Sequence, residues 1–479
     1  MNRIEAFRGI FLVLILTIIS GCATNPVTGR SDIVLMSESQ EIELGRKHHR
    51  QVLQQYPVYN DKELQNYVSA LGQRLADASH RSHLDFSFTV LDSPEVNAFA
   101  LPGGYIYITR GIMSYMNSEE ELAGVLGHEI GHVTARHSVR QQTAQTGAGL
   151  VSMGVAILTG RRAAAQAIGQ AASALTSGYG RSHELEADRL GAEYLARIGY
   201  DPEQMLGVIG ILKDQEEFEI QRAKEENRRP RNYHGVYSTH PRNDQRLQTV
   251  IKAAEQYKNP DAEVTNPEDF LRLMDGVTFG NSEEQGILRD SRFYHKSLDF
   301  TLALPRGWQI DNQPSQLVTI KPGRGAAMIL QLEKLQGNES AAQFMRRKFR
   351  NIQQGQNLSG NRFTAVVRGQ TPFGDNRPIR VGTIVHDGRA FVLSAFSKNR
   401  IPDTEFFDTL DSFRRLDRDE RKLATAKKLK IYRVRGGDSM SRLASRLKLG
   451  KYGEEQLRLI NGLYPDGEPE NGQLIKIIR

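Results

Sequence analysis

Gly127-His128-Glu129-Ile130-Gly131-His132 predicts a helix that carries metal-binding side chains on one face. His128 and His132 share that face because they lie four residues apart. Two neutral imidazoles at this spacing can bind one zinc ion, and Glu129 beside them can deprotonate a water molecule on that ion. The alternative is a chance string on an ordinary core helix, so the prediction depends on the residues that accompany the motif.

The residues around the motif support a helix. Ser118 and Glu121 have the pattern of a capping box at its start. An apolar face with helical spacing follows, formed by Leu122, Val125, Leu126, Ile130 and Val133. The motif is therefore predicted to lie on an amphipathic helix with a buried apolar side.

Length and composition indicate the class of the molecule. A chain of 479 residues is expected to hold several domains, since one core rarely grows beyond about 250–300 residues. A hydrophobic content of 39% and a charged content of 25% are typical of soluble globular proteins. The net charge of +7 favours anionic surfaces such as lipid headgroups only weakly. The sequence has neither an arginine-rich arm nor basic residues interleaved with aromatic ones, so nucleic acid is not an expected partner.

The first residues predict a targeting segment. Arg3 and Arg8 precede a short apolar run, residues 11–19, which suits a signal-peptide core rather than a membrane span. Ile19-Ser20-Gly21-Cys22 resembles the lipobox of bacterial lipoproteins, and the resemblance implies cleavage before Cys22 and lipid on that residue. In the sorting rule of bacterial lipoproteins, Ala23 rather than Asp after this cysteine implies that the protein lies in the inner leaflet of the outer membrane, facing the periplasm. The alternative is a chance cysteine after a plain secretory peptide.

Cysteine usage restricts the metal donors. Cys22 is the single cysteine of the chain, so disulfides are excluded and a zinc site must use histidine and carboxylate ligands. Catalytic zinc typically has three protein ligands and one position left for water. His128 and His132 supply two, and the candidates for the third are Glu184, Glu186, His183 and His240. His137 lies off the ligand face and is predicted to support the site or the core.

A second helix is predicted from Ser182, as its N-cap, to Arg197, with Gly199 at its end. Glu184 and Asp188 lie four residues apart on it, on the face that also carries Gly191 and the apolar Leu195. Acidic side chains on an apolar face are costly unless they are paired or bind a metal. The burial cost therefore favours a paired or metal-bound role for these two residues over an ordinary helix face of solvated acidic side chains.

A pair of strands is predicted just before the motif helix. Residues 97–104 and 105–109 indicate a strand, a Gly-Gly turn and a second strand. A strand beside a zinc helix can bind an extended peptide by backbone pairing, although an ordinary hairpin packed under the helix explains the pattern equally well.

The predicted fold class is α+β. A mainly helical zincin-type protease domain is followed by an α+β sandwich-like domain and by a small β-α-α-β domain that resembles a LysM module. Leu304-Pro305-Arg306-Gly307-Trp308 loosely resembles the entry to PsbP or Mog1 domains. The LysM resemblance implies peptidoglycan as a partner. The predicted boundaries are a signal peptide 1–21, a tether 22–36, the protease domain 37–257, a linker 258–290, the accessory domain 291–417, a basic linker 418–430 and the LysM-like domain 431–479.

The motifs together resemble one family of peptidases. The His128–His132 motif, Glu184-x-Glu186-Ala187-Asp188, Asn97-Ala98-Phe99-Ala100 and Thr239-His240-Pro241 resemble the zinc endopeptidases that include HtpX and the CAAX prenyl protease. Within that family, the lipoprotein start is similar to the periplasmic branch of the BepA and LoiP kind. The resemblance spans Ser37 to Leu247.

The resemblance also implies roles for particular residues. It implies that Glu184 is the third zinc ligand and that Asp188 orients a ligand histidine. It implies that His240 lies near the metal, where it can occupy the position of the water and keep the enzyme inactive. Arg246 matches the family pattern six residues later, which implies a structural or transition-state role.

The expected function is a zinc-dependent endopeptidase, lipid-anchored in the bacterial cell envelope, that hydrolyses peptide bonds of misfolded or misassembled envelope proteins. The alternative is a lipid-anchored chaperone or cell-wall tether with a latched, weakly active zinc site. A pure cell-wall-binding protein with structural zinc is the weakest hypothesis, because structural sites usually fill all four positions with cysteine and histidine.

Overall fold

The computed structural model of the chain describes residues 22–29, 31–144, 146, 162–226, 228, 230, 244–257, 265–313, 316–323, 325–371, 374–398 and 403–479. The predicted signal peptide, His240 and part of the first predicted linker lie outside the described residues. The described residues form two compact units. The first comprises the residues up to Phe279 together with Lys428–Arg479, and the second comprises Gly280–Lys427.

The helices have the following bounds: Glu38–Gln55, Lys62–Asp77, Arg110–Met113, Glu119–Thr134, Arg162–Arg197, Gln204–Glu225, Asp244–Tyr257, Pro267–Leu273, Ala341–Lys348, Asp403–Asp411, Arg418–Leu423, Met440–Arg446 and Gly453–Ile460. We call Glu119–Thr134 the motif helix and Arg162–Arg197 the ligand helix. Within the described part of the chain, no helix combines the length and the apolar character needed to cross a bilayer.

The strands are β1 Cys22–Thr24, β2 Ser31–Ile33, β3 Ser87–Leu91, β4 Ala98–Leu101, β5 Tyr105–Thr109, β6 Thr278–Phe279, β7 Ile287–Arg289, β8 Arg292–His295, β9 Phe300–Ala303, β10 Gln309–Gln313, β11 Gln316–Lys321, β12 Ala326–Lys334, β13 Gln353–Leu358, β14 Arg362–Gln370, β15 Asn376–His386, β16 Arg389–Ser397, β17 Lys427–Arg433 and β18 Leu474–Ile478.

The start of the motif helix differs in one detail from the predicted capping box. The Ser118 side chain accepts the Glu121 backbone N–H, as predicted. The Glu121 carboxylate, however, accepts the backbone N–H of Asn117 and not that of Ser118. The cap is still made by two side chains that satisfy free N–H groups at the helix start.

The ligand helix begins earlier than predicted. It runs without interruption from Arg162 through Ser182 to Arg197, so the prediction of an N-cap at Ser182 was wrong. The preceding residues are rich in alanine, which has the highest helix propensity and lets the helix continue. Its end agrees with the prediction, because Gly199 follows the last turn with a positive φ of 91°.

The predicted pair of strands is present in a three-stranded sheet of the first unit. Strand β4 pairs with β5 in antiparallel register, with Ala98 opposite Ile108, and β3 pairs with β5 in parallel. The order is β3-β5-β4, which leaves β4 at one edge of this sheet. In the turn between β4 and β5, a Cβ on Gly103 would lie 2.8 Å from the Cα of Ile42, so only glycine fits there.

The motif helix and the ligand helix approach each other at glycines. A Cβ on Gly131 would lie 3.0 Å from the carbonyl oxygen of Ala187, and one on Gly191 would lie 3.0 Å from the backbone nitrogen of His128. Both neighbours are backbone atoms, which cannot move aside as a flexible side chain can. The absence of side chains at these positions therefore allows the close contact between the helices.

The C-terminal segment has the predicted order of strand, helix, helix and strand, and it belongs to the first unit. Strand β17 pairs with β18 and also with β6. Lys476 on β18 is fully buried, and its Nζ donates to the carbonyl oxygen of Ser114 at 2.9 Å and to that of Met116. The last strand is thereby bonded to the connection that leads into the motif helix.

The second unit contains a seven-stranded antiparallel sheet of order β10-β11-β12-β16-β15-β14-β13 and a smaller sheet β7-β8-β9. Its helices Ala341–Lys348 and Asp403–Asp411 contribute Phe344 and Phe406 to two apolar cores. The predicted linkers 258–290 and 418–430 contain regular elements, since Asn266 caps the helix Pro267–Leu273 and Asp417 caps Arg418–Leu423. The predicted domain boundaries and the LysM and PsbP assignments stay predictions.

Alanine substitutions of two helical glycines, one in the contact between the helices and one outside it, are expected to have opposite effects on stability. Gly131→Ala is expected to destabilise the protein by about 1–3 kcal/mol, because the added methyl meets rigid backbone. Gly210→Ala is the matched control, because Gly210 also lies in a helix but has no atom within 4 Å of a built Cβ. It is expected to stabilise by about 0.5–1 kcal/mol. Denaturant unfolding of both variants checks this, and equal stability of the two would contradict the packing role of Gly131.

The burial of Lys476 predicts a pH-dependent stability. Burial lowers the pKa of Lys476 from its ordinary 10.5 to about 7, against the opposing charge of Glu121. Between these values only the unfolded chain keeps the proton, so the free energy of unfolding rises with pH in this window. Lys476→Gln retains N–H donors without the charge. Thermal unfolding is expected to show that the stability of the parent relative to Lys476→Gln increases from pH 7 to pH 9, and a constant difference would contradict the prediction.

Candidate metal centre

Three side chains of the first unit converge on one point. The Nε2 atoms of His128 and His132 lie 3.1 Å apart. Glu184 lies against both, with Oε1 at 3.3 Å from Nε2 of His132 and Oε2 at 3.6 Å from Nε2 of His128. One ligand atom from each residue lies within 4.8 Å of the others, a grouping that can hold a metal ion.

The two helices determine this convergence. The four-residue spacing brings both imidazoles to one side of the motif helix. The contact at Gly131 and Gly191 brings the ligand helix close enough for the Glu184 carboxylate to reach them. His128 and Glu184 are buried, and His132 is partly buried. A carboxylate buried in this position needs nearby positive charge or a cation to offset its lost hydration.

The other candidates for the third ligand have different positions. The Glu186 carboxylate bonds to His137 at 3.1 Å and to Arg140 at 2.8 Å. The ring of His183 stacks on His137, with centroids 4.2 Å apart and planes at 11°. His240 lies outside the described residues, so its predicted place near the metal stays a prediction. Among the described candidates, Glu184 is the one that meets both histidines of the motif.

Asp188 and Arg246 form a bonded pair beside the three donors. Oδ1 of Asp188 lies 3.0 Å from Nδ1 of His128, and Arg246 donates to both carboxylate oxygens of Asp188 at 2.7 Å. Nη1 of Arg246 also lies 3.4 Å from Glu184. Burial alone would raise the pKa of Asp188, but the bonds from Arg246 and His128 outweigh it and hold that pKa below its usual value. Arg246 thus has structural contacts in the site, whereas a transition-state role stays a prediction.

Glu129 directly follows His128 on the motif helix, and 2% of its surface is exposed. It borders a small cavity of about 30 Å³ together with His128, Asp188 and Arg246. The rest of the lining is apolar and includes Ala98, Ile112, Val125, Met205, Val208, Ile209 and Leu212. Ala98 belongs to the edge strand β4, so this strand and Glu129 line one cavity.

A series of hydrogen-bonded side chains leads away from His132, and the sequence indicated only part of it. Its Nδ1 lies 2.8 Å from Nδ1 of His137, and His137 continues to Glu186 and Arg140. Burial lowers the pKa of His137 to about 3 despite the opposing effect of Glu186. The predicted supporting place of His137 agrees with these contacts, whereas Arg140 was not predicted to belong to the site. The one available signal was spacing, since Arg140 follows His137 by three residues in the helical segment 137–144.

The domain that contains these residues is similar to a known family. Residues 62–254 match the family model "Peptidase family M48". The match includes the three converging donors, Glu129 and Arg246, and it covers about two fifths of the chain.

Similar proteins of known class agree with this match. The chain is 32% identical over 259 residues to the "Beta-barrel assembly-enhancing protease" of Escherichia coli (strain K12), covering 52% of this chain and 50% of that protein. It is 31% identical over 145 residues to the "Mitochondrial metalloendopeptidase OMA1" of Arabidopsis thaliana, covering 30% of this chain and 29% of that protein. The chain spans about half the length of the beta-barrel assembly-enhancing proteases that it matches.

Among solved structures, the chain has a TM-score of 0.21 and 13% identity to cyanobacterial PsbP from Synechocystis sp. PCC 6803, covering 27% of this chain and 96% of that one, a similarity too low to assign a fold. The family match and the sequence relatives support a metalloendopeptidase, and residues 62–254 are the segment that is similar to peptidase family M48.

Proposed function

We propose that the chain is a zinc-dependent endopeptidase that hydrolyses peptide bonds of misfolded or misassembled cell-envelope proteins. The observation that carries this proposal is the convergence of ligand atoms of His128, His132 and Glu184 within 4.8 Å, with the buried Glu129 next to His128 in the chain. The domain that contains them is the one that matches a peptidase family.

The donor set fits zinc. Two imidazole nitrogens and one carboxylate form a ligand set found in catalytic zinc sites that leave a fourth position for water. The single cysteine, Cys22, precedes the matched domain, so a structural site built from several thiolates is excluded. When bound, zinc lowers the pKa of a water molecule toward neutrality and polarises a substrate carbonyl.

The residues of the chain supply the remaining functions. Glu129 is proposed as the general base, because its carboxylate follows a ligand histidine directly and borders the same cavity. Asp188 holds the ring of His128 through Nδ1, which leaves Nε2 directed toward Glu184. Arg246 offsets the charge of Asp188 and Glu184, and its contacts keep both carboxylates in place.

The edge strand β4 is proposed to bind the substrate. Peptidases bind their substrates in an extended conformation, which pairs naturally with an exposed strand edge. Strand β4 lies at the edge of its sheet, and Ala98 at its start borders the cavity beside Glu129. Backbone pairing requires no particular side chain, which suits a peptidase that acts on unfolded segments of many sequences.

The cellular context is proposed from the sequence and from the relatives. The segment that ends at Cys22 supports a lipid anchor in the outer membrane, with the protein facing the periplasm. The name of the Escherichia coli relative supports envelope proteins as substrates. The C-terminal segment, residues 431–479, is proposed to contact peptidoglycan because of its likeness to LysM modules.

The proposed base predicts the effect of one substitution. Glu129→Gln keeps the shape of the side chain but cannot accept a proton, so cleavage of an unfolded protein such as casein is expected to fall about 10²–10⁴-fold. Zinc content is expected to stay at the parent level, because none of the three proposed ligands is changed. Cleavage is measured by the appearance of peptides, and zinc by elemental analysis of the purified protein.

A matched control is Glu217→Gln, which changes an exposed glutamate on the helix Gln204–Glu225 and should leave cleavage unchanged. Unaltered cleavage by Glu129→Gln at full zinc occupancy would disprove the proposed base. Complementation of a deletion strain separates the alternative function, since rescue by Glu129→Gln would favour a chaperone or tether over a peptidase.

A further inference from the structure

His132 has a second ring nitrogen that faces away from the three converging donors. Its Nδ1 lies 2.8 Å from Nδ1 of His137, while its Nε2 lies 3.1 Å from Nε2 of His128. We propose that His137 is a positioning residue that holds His132 in the tautomer that presents Nε2 to the metal. This inference rests on the proposed zinc-dependent function.

The tautomer follows from the chemistry of a neutral imidazole, in which one nitrogen donates and the other accepts. If Nε2 of His132 gives its lone pair to a metal, the ring proton must lie on Nδ1. Nδ1 of His137 is the partner at hydrogen-bond distance, so it must accept that proton. Because the Glu186 carboxylate beside Nε2 of His137 holds the His137 proton on that atom, the opposite tautomer of His132 would place two lone pairs against each other.

The same reasoning extends to the other end of this series of hydrogen-bonded side chains. If Nδ1 of His137 accepts, its own proton lies on Nε2, which is 3.1 Å from the Glu186 carboxylate. A carboxylate accepts, so this bond has the required direction. Arg140 donates to the same carboxylate oxygen at 2.8 Å and cannot give up its proton at any ordinary pH. The Glu186 carboxylate can only accept, so it fixes the proton of His137 on Nε2 and leaves Nδ1 of His137 to accept the proton of His132.

The surroundings hold His137 in this role. It is 4% exposed, and the ring of His183 stacks on it at 4.2 Å. Both of its nitrogens are engaged, with His132 on one side and Glu186 on the other, so it is not itself directed at the metal. His128 has a different support, the carboxylate of Asp188. The two histidines of the motif are thus oriented by two independent groups.

Two substitutions of His137 separate positioning from packing. His137→Leu removes the acceptor for the His132 proton, and zinc affinity is expected to fall about 10–100-fold, the effect of losing a group that orients a ligand. His137→Asn retains an acceptor oxygen near the position of Nδ1 and is expected to lose clearly less affinity than His137→Leu. The dissociation constant is measured on the full-length protein by competition between the protein and a chelator for zinc.

A spectroscopic measurement and a control in the second unit test the same inference. The absorption bands of the cobalt-substituted protein are expected to shift in His137→Leu and to resemble those of the parent in His137→Asn. His295→Leu is the control, because His295 is also buried and accepts a bond through Nδ1, but it lies in the second unit. Its zinc affinity is expected to equal that of the parent. Melting of the metal-free proteins verifies that each variant is folded.

The outcomes are distinguishable. If the parent does not bind zinc, the proposed function fails. If the parent binds zinc and a folded His137→Leu binds it equally well, or if His137→Asn is weakened as much as His137→Leu, the positioning role is disproved. If His137→Leu does not fold, Glu186→Leu serves instead, because it removes the acceptor for Nε2 of His137. This variant is expected to bind zinc more weakly than the parent, and unchanged affinity would overturn the inference.

Discussion

The contact between the motif helix and the ligand helix is the constraint on which the proposed site depends. Gly131 lies against the backbone of Ala187, and Gly191 lies against the backbone nitrogen of His128. Interiors are packed so tightly that one added methyl group at such a contact requires the helices to separate. The donors come from both helices, so the distance between the two backbones determines whether Glu184 reaches the histidines.

Buried charge is the second physical theme of the domain. Asp188 and Glu186 lie two residues apart on the ligand helix, and an ionised carboxylate in the interior is costly unless it is paired. Asp188 is paired with Arg246 and His128, and Glu186 is paired with Arg140 and His137. Each carboxylate is thus paired with an arginine, which offsets the free-energy cost of its burial. Each also contacts a histidine, and this contact orients the imidazole ring.

Much of the local structure was predictable from short-range patterns. The motif helix, the strands β4 and β5 and the end of the ligand helix at Gly199 agree with signals within a few residues of each element. The start of the ligand helix was not predicted, because Ser182 has cap chemistry but lies inside a helix that its alanine-rich neighbours extend. The burial of the C-terminal strand against the connection before the motif helix, through Lys476, had no local signal.

The sequence by itself determined which side chains share a helix face, because the angular position of a residue around its own helix depends only on spacing. It also limited the donors to histidine and carboxylate, since the single cysteine lies near the start of the chain. Spacing left the third donor open and the family resemblance implied Glu184, but only the tertiary structure shows Glu184, and neither Glu186 nor His183, against both His128 and His132. It also decided that His137 bonds to His132. Spacing along one helix carries no information about the distance to another, and here that distance depends on how closely glycine allows two backbones to approach.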